Sequence, residues 1–296
     1  MRALEMVKLA DLMKLTSGSP AVAVGLIDGP VAKNHPDLAT HQLRDVGANP
    51  ACSPSNSTAC IHGTCVAGIL FAKRSSSSPG ICPDCTLLVR PVFAESTSSQ
   101  GDLPSATPDE LASALVDCID AGARVLNLSL ALARPSSKGG RAVEQGLDYA
   151  AKRGVIVVAA AGNQGTIGST AITRHPWVIP VTAGNPQGRS VSYTNLGRSI
   201  GRQGLCGPGE SVVSLASGGG TTTFGGTSVA APFVTGAIAL LWSLFPNVSA
   251  AHMKLAVLQA GIVPRRSIAP PLLDAWSAYQ VLANAGTKSA RPTTYA

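Results

Sequence analysis

Ala21-Val-Ala-Val-Gly-Leu-Ile-Asp28-Gly29 is an apolar run of strand length that stops on an acid and a glycine. A strand that is apolar on both sides is covered on both faces, the mark of a parallel sheet under helices. Similar runs recur at Leu87–Val92, Val125–Leu130, Val155–Ala161, Val178–Thr182 and, more briefly, Val212–Leu215. Helical segments separate them. His62–Ala72 is rich in small residues. Thr107, Pro108 and Glu110 form a capping box with proline at the first helical position, opening a helix that ends near Gly122. Ala142–Arg153 is stopped by Gly154, Thr227–Phe245 is apolar throughout, and Ser249 caps a last helix to Ala260. This alternation predicts an α/β fold: a three-layer, doubly wound, mostly parallel sheet with helices on both faces.

Composition agrees. The chain has 296 residues, 45 % of them hydrophobic and 13 % charged, enough apolar material for a large core and too little charge for a disordered chain. The net charge of +7 is scattered, the densest groups being pairs such as Lys73–Arg74, Lys152–Arg153 and Arg265–Arg266. A nucleic-acid binder gathers its basic residues on one face, so none is expected as a partner. Ser228–Phe245 is uncharged over 18 residues, but its Ser, Thr, Gly and Pro and its isolation mark a buried core helix and not a membrane span.

Leu4, Val7, Leu12 and Leu15 space out a short amphipathic N-terminal helix. Glu5 and Asp11 interrupt that segment, so it reads as no secretory signal, and a cytoplasmic location is expected, a trimmed secreted domain being the alternative. Seven cysteines, at 52, 60, 65, 82, 85, 118 and 206, cannot all pair within one chain. Cys82-Pro-Asp-Cys85 has the spacing of a redox pair, half a zinc site or a local bridge. No second pair completes a zinc site, and loop cysteines, free or locally bridged, are the expectation.

Functional groups of open parallel sheets collect at the carboxyl ends of strands. Asp28, Ser129 and Asn163 fall at such ends. Taken singly, Asp28 is also an ordinary turn residue before glycine, Asn163 a turn asparagine, His62 a surface or capping histidine, and Ser228 a helix N-cap. The other histidines, 35, 41, 175 and 252, read as surface or turn residues. Pro232 is tolerated only in a first helical turn, so the last apolar helix must start near Thr227–Ser228, placing the Ser228 hydroxyl where free N–H groups favour an anion. Together the set is more specific. A serine hydroxyl needs a base, histidine supplies one near neutral pH, and a buried carboxylate fixes its tautomer. The chain order is Asp, His, Ser.

These motifs resemble the subtilases, the subtilisin-like serine peptidases. Val24–Gly29 with His35-Pro-Asp-Leu38 is similar to the family's Asp region, His62-Gly-Thr with Val66-Ala-Gly68 to its His region, Gly226-Thr-Ser with Ala230-Ala-Pro232 to its Ser region, and Ala160-Ala-Gly-Asn163 to its oxyanion segment. The resemblance spans about Ala21–Ala260. It implies a subtilisin-like fold with a peptidase domain at 19–284, an N-terminal helix at 1–18 packing on it and a loose tail at 285–296. It implies a catalytic triad of Asp28, His62 and Ser228, with Asn163 and the Ser228 N–H as oxyanion donors. Substrate would lie along Ser129, Leu130 and Ala131 and beside the loop after Phe93, with Ala160, Ala161 and Gly162 shaping the pocket. Ala131-Leu132 departs from the glycine usual there.

Asp28-Gly-Pro-Val31, Cys82-Pro-Asp-Cys85, Arg90-Pro-Val-Phe93 and Gly207-Pro-Gly-Glu210 further resemble subtilases that mature ribosomal peptides, notably the cyanobactin proteases. That likeness implies removal of leader or recognition segments from a precursor peptide by a single copy of the chain. One class of these enzymes macrocyclises with an inserted helical cap. Only 34 positions separate Asp28 from His62, too few for such a cap, so hydrolysis is expected. No segment matches the usual calcium loops, and no cofactor is expected. The alternatives are a general degradative subtilase and a non-catalytic subtilase fold that binds peptides.

Overall fold

The computed structural model describes residues 2–39, 42–47, 52, 57–93, 106–130, 140–259 and 267–289. Seven strands build one sheet: β1 Ala23–Asp28, β2 Leu43–Asp45, β3 Thr86–Pro91, β4 Val125–Leu128, β5 Ile156–Ala160, β6 Val178–Gly184 and β7 Leu205–Pro208. Their order is β2-β3-β1-β4-β5-β6-β7, and every pairing is parallel. The chain reverses its direction of winding at β1, so β1's carboxyl end lies at a topological switch point. β8 Val212–Leu215 and β9 Thr221–Phe224 form a separate antiparallel hairpin. The expected strand at 212–215 is thus present but lies outside the parallel sheet, with Val213 half exposed and Val212, Ser214 and Leu215 buried.

Helices cover both faces. On one side lie α1 Arg2–Met6, α2 Leu9–Leu15, α3 Thr58–Phe71, α8 Thr227–Leu244, α9 Ala250–Gln259 and α10 Ala275–Ser289, around a core that includes Val24, Leu26, Val158, Phe71 and Trp242. On the other, α4 Pro108–Asp120 and α5 Gly140–Arg153 cover Ile27, Leu126, Leu128 and Val157. Two short helices, α6 Ala171–Arg174 and α7 Arg198–Gln203, flank β6. The capping box of α4 forms as expected: Thr107 Oγ1 accepts from Glu110 N, and the Glu110 carboxylate accepts from Thr107 N at 2.8 Å. Gly154 ends α5 with φ of 68°, a left-handed turn glycine adopts without strain.

α8 is apolar and long enough to cross a membrane, yet 83 % of it is buried, so it is the central core helix. The N-terminal segment is two helices, because Lys8 turns left-handed at φ 54°. Val7, Leu9 and Leu12 are buried there, whereas Leu15, expected on the apolar face, is 47 % exposed. The tail expected to be loose from 285 begins as the end of α10, which continues to Ser289. Cys52 and Cys60 are bridged, and Cys65, Cys82, Cys85, Cys118 and Cys206 are buried thiols. Among the described residues no cluster of His, Cys, Asp or Glu is placed to hold a metal.

Candidate active site

Asp28 ends β1 and is fully buried. Its Oδ1 accepts from the Gly29 N–H at 2.6 Å and lies 2.6 Å from Nδ1 of His62. His62 sits in the second turn of α3, whose N-cap Ser57 accepts from Cys60 N. Close packing brings α3 to the end of β1. A Cβ added at Gly63 would stand 2.4 Å from Gly29 O, and one at Gly29 would stand 2.0 Å from Ala59 O. Only glycine permits this backbone-to-backbone approach. The small residues of His62–Gly68 serve the close approach their sizes suggested.

Burial disfavours a charged imidazole at His62, but the charge of Asp28 and its hydrogen bond together outweigh burial, and the His62 pKa lies above the ordinary histidine value. His62 Nε2 is buried and, among the described residues, has no hydrogen-bond partner; the same holds for Asp28 Oδ2. α3 packs on α8, the helix that carries Ser228.

Ser228 is the second residue of α8, so it is not the N-cap; that position belongs to Gly226, which has no side chain to cap with. Asn163 supplies the cap from another loop. Its Oδ1 accepts from Thr227 N at 2.9 Å, which leaves its NH₂ as the donor end of the side chain. Gly226 adopts φ 119°, and a Cβ there would come within 3.0 Å of Asn163 Nδ2. Gly162 N in turn donates to Thr227 Oγ1 at 3.1 Å. The loop of Asn163 and the start of α8 are therefore tied twice.

The residues expected to touch substrate are placed unevenly. Phe93, Ser129, Ala160, Ala161 and Gly162 are buried, and Leu130 is partly buried. The Ser129 hydroxyl points inward and donates to Ser228 O at 2.8 Å. The backbone of Ala161 and Gly162 is used internally: Ala161 N donates to Val181 O, Ala161 O accepts from Asn195, and Gly162 O accepts from Asn195 N. These residues can form a wall but have no free backbone group to pair with an extended peptide. Ala131 and the loop after Phe93 lie outside the described residues. Of the other histidines, His35 is a turn residue as expected, its N–H donating to Ala32 O and its carbonyl accepting from Leu38 N, but it is buried and not at the surface, with Nε2 3.0 Å from Gly220 O. His41 lies outside the described residues.

Residues the motifs did not single out hold the site together. Asn195 accepts through one oxygen from Gln164 N, Thr166 N and Thr166 Oγ1, and so shapes the loop after Asn163. Thr227 links that loop to α8. The available signal for Asn195 was weak, since an asparagine in a polar loop looks like any turn residue.

Comparison with known proteins places the chain. The profile of the subtilase family matches residues 19–278. Subtilisin DY of Bacillus licheniformis is 32 % identical over 240 residues, covering 79 % of this chain and 81 % of that protein. Several other curated relatives are longer, and the chain spans 58 % of subtilisin NAT of Bacillus subtilis subsp. natto. Among solved structures, the protease domain of PatA is 29 % identical with a TM-score of 0.81, covering 90 % of this chain and 97 % of that one. The prenylagaramide maturation protease PagA is 27 % identical with a TM-score of 0.80, covering 92 % and 98 %. With the parallel sheet and these matches in hand, the chain belongs to the subtilase family of subtilisin-like serine proteases.

Proposed function

We propose that this protein is a serine endopeptidase that removes leader or recognition segments from a ribosomal precursor peptide, with Asp28, His62 and Ser228 as its triad. The observation that carries the catalytic part is the His62–Asp28 pair, 2.6 Å apart at the switch point of the sheet, with His62 on a helix packed against the one whose second residue is Ser228. The substrate class rests on likeness: PatA is a patellamide maturation protease and PagA a prenylagaramide maturation protease.

In this scheme His62 Nε2 takes the Ser228 proton as Ser228 Oγ attacks the scissile carbonyl. Such hydrogen bonds are often unformed without substrate and tighten when it binds. Asp28 holds Nδ1–H and stabilises the imidazolium. The Asn163 NH₂ and the Ser228 N–H hold the oxyanion, helped by the N-terminal dipole of α8. His62 then protonates the leaving amine, and water, deprotonated by His62, hydrolyses the acyl-enzyme. Every group required is a protein side chain or backbone N–H, so no cofactor enters.

Between Asp28 and α3 the described residues hold strand β2 and no helix. That supports hydrolysis over macrocyclisation, since nothing described there covers the acyl-enzyme from water. The Cys52–Cys60 bridge favours an oxidising compartment, the secreted alternative.

A fluorophosphonate probe tests the catalytic part. Labelling of the parent at Ser228, lost in Ser228→Ala, is expected; an unlabelled parent points to a peptide-binding fold instead. Cleavage of a short precursor peptide far faster than casein is expected. Equal rates would make the protein a general degradative subtilase.

A further inference from the structure

Three polar side chains lie in the apolar seam between β4 and α8. Asn127 is fully buried in the middle of β4, Thr235 is fully buried in α8, and Ser129 is 4 % exposed. Strand alternation explains their side: Leu126 and Leu128 pack with α4 and α5, so 125, 127 and 129 face α8. Thr235 lies seven positions after Ser228, two turns along the same face of the helix.

The three form one chain of hydrogen bonds. Thr235 Oγ1 donates to Asn127 Oδ1 at 2.8 Å, Asn127 Nδ2 donates to Ser129 Oγ at 2.7 Å, and Ser129 Oγ donates to Ser228 O at 2.8 Å. All donors point one way, so each bond polarises the next. The last acceptor has a particular need. In a helix the carbonyl of Ser228 would receive the N–H of residue 232, but that residue is proline, which has none; Pro232 thus lies inside α8, in its second turn, and not in the first turn expected. Ser129 supplies the missing donor.

The direction starts from the Ser228 carbonyl, which can only accept, so Ser129 must donate to it and Asn127 must turn its NH₂ to Ser129 and its oxygen to Thr235. If the Asn127 amide were turned over, its oxygen would face Ser129 and draw that hydroxyl's proton away from Ser228 O. The Thr235 hydroxyl donates to the Asn127 oxygen and holds it on the other side. We infer that Thr235, Asn127 and Ser129 are positioning residues, which fix the first turn of α8 against β4 and thereby aim the Ser228 hydroxyl. This deepens the proposed function and rests on Ser228 being the nucleophile.

The test uses the full chain and a fluorophosphonate probe. The labelling endpoint counts competent sites, and the rate constant reports the reactivity of each. Thr235→Val, which keeps the shape and removes the hydroxyl, is expected to react about tenfold more slowly at an unchanged endpoint, through a small displacement of the nucleophile. Thr235→Ser, which keeps the hydroxyl, is expected to restore the rate to within about twofold. A purely structural role would lower the melting temperature or the endpoint and leave the rate per site alone. The inference is overturned if Thr235→Val reacts at the parent rate, or if Thr235→Ser is as slow as Thr235→Val.

If Thr235→Val does not fold, Ser129→Ala takes its place. Its slowing should be largely relieved by adding Pro232→Ala, which returns an N–H to the Ser228 carbonyl; absence of relief overturns the inference. Ser228→Ala is the control. Probe uptake in that variant would remove the nucleophile assignment itself, whereas clean loss there with no effect at Thr235 would remove only the positioning chain.

Discussion

The two halves of the site are held by different physics. On the histidine side, α3 meets the end of β1 through bare backbone, with Gly63 and Gly29 leaving no room for another atom, and a carboxylate–imidazole hydrogen bond joins Asp28 to His62. On the serine side, the start of α8 is held by neutral hydrogen bonds, from Thr227 to Asn163, from Gly162 to Thr227 and from Ser129 to Ser228. The first half should therefore be intolerant of added volume and sensitive to pH. The second should tolerate pH and be sensitive to lost hydroxyl and amide groups.

The largest expected effect is on the charged side. Asp28→Asn should lower kcat by about 10⁴ through loss of the correct tautomer, read from steady-state kinetics. A loss under tenfold would detach the His62–Asp28 pair from the chemistry. Next comes the neutral side. Asn163→Ala should reduce kcat by on the order of 10²–10³ with KM nearly unchanged, the usual effect of losing one oxyanion donor. Because Asn163 also caps Thr227, thermal unfolding should show a parallel loss of about 1 kcal/mol.

Gly63→Ala sharpens the contrast in packing. One added methyl should cost at least about 1–3 kcal/mol, because backbone must move on both sides. The melting temperature should fall by several degrees, and kcat with it as His62 shifts. A Gly63→Ala variant as stable as its parent would mean that the close approach is not what places α3.

The smallest effect is on the pH profile. The His62 pKa is raised, so the base is protonated up to a higher pH than in an ordinary histidine. Activity should rise with pH along an acid limb centred above the ordinary imidazole value, measured as kcat/KM. Asp28→Asn removes the raising cause and leaves burial, so its limb should move down. Thr235→Val should leave the limb in place, since no charge changes on the serine side.

Much of the fold was legible because its signals are local. The apolar runs of β1, β4, β5 and β6, the capping box at Thr107 and the turn glycine at 154 each act within a few residues. β2 and β7 were not legible. β2 is three residues long and half exposed, and β7 is Leu-Cys-Gly-Pro, with little periodicity of its own; Cys206 N instead bonds Pro271 O from a distant segment. The start of α10 carried a local signal that went unread: Asp274 caps it, its Oδ1 accepting from Ser277 N at 2.8 Å, and the helix packs on α2 and α9. The break at Lys8 was hidden because nothing about lysine demands a left-handed turn.

By itself, the sequence determined the fold class and nominated Asp28, His62, Asn163 and Ser228, since motifs and periodicity are properties of short stretches. Only the tertiary structure decided that β8 leaves the parallel sheet, that Asn163 caps a helix it does not belong to, and that Ser129 turns inward to serve Ser228. It also joined Asn127 to Thr235, residues 108 positions apart. The physical reason is that a lone polar residue in an apolar strand or helix must find a partner, and no pattern within either element says where that partner lies.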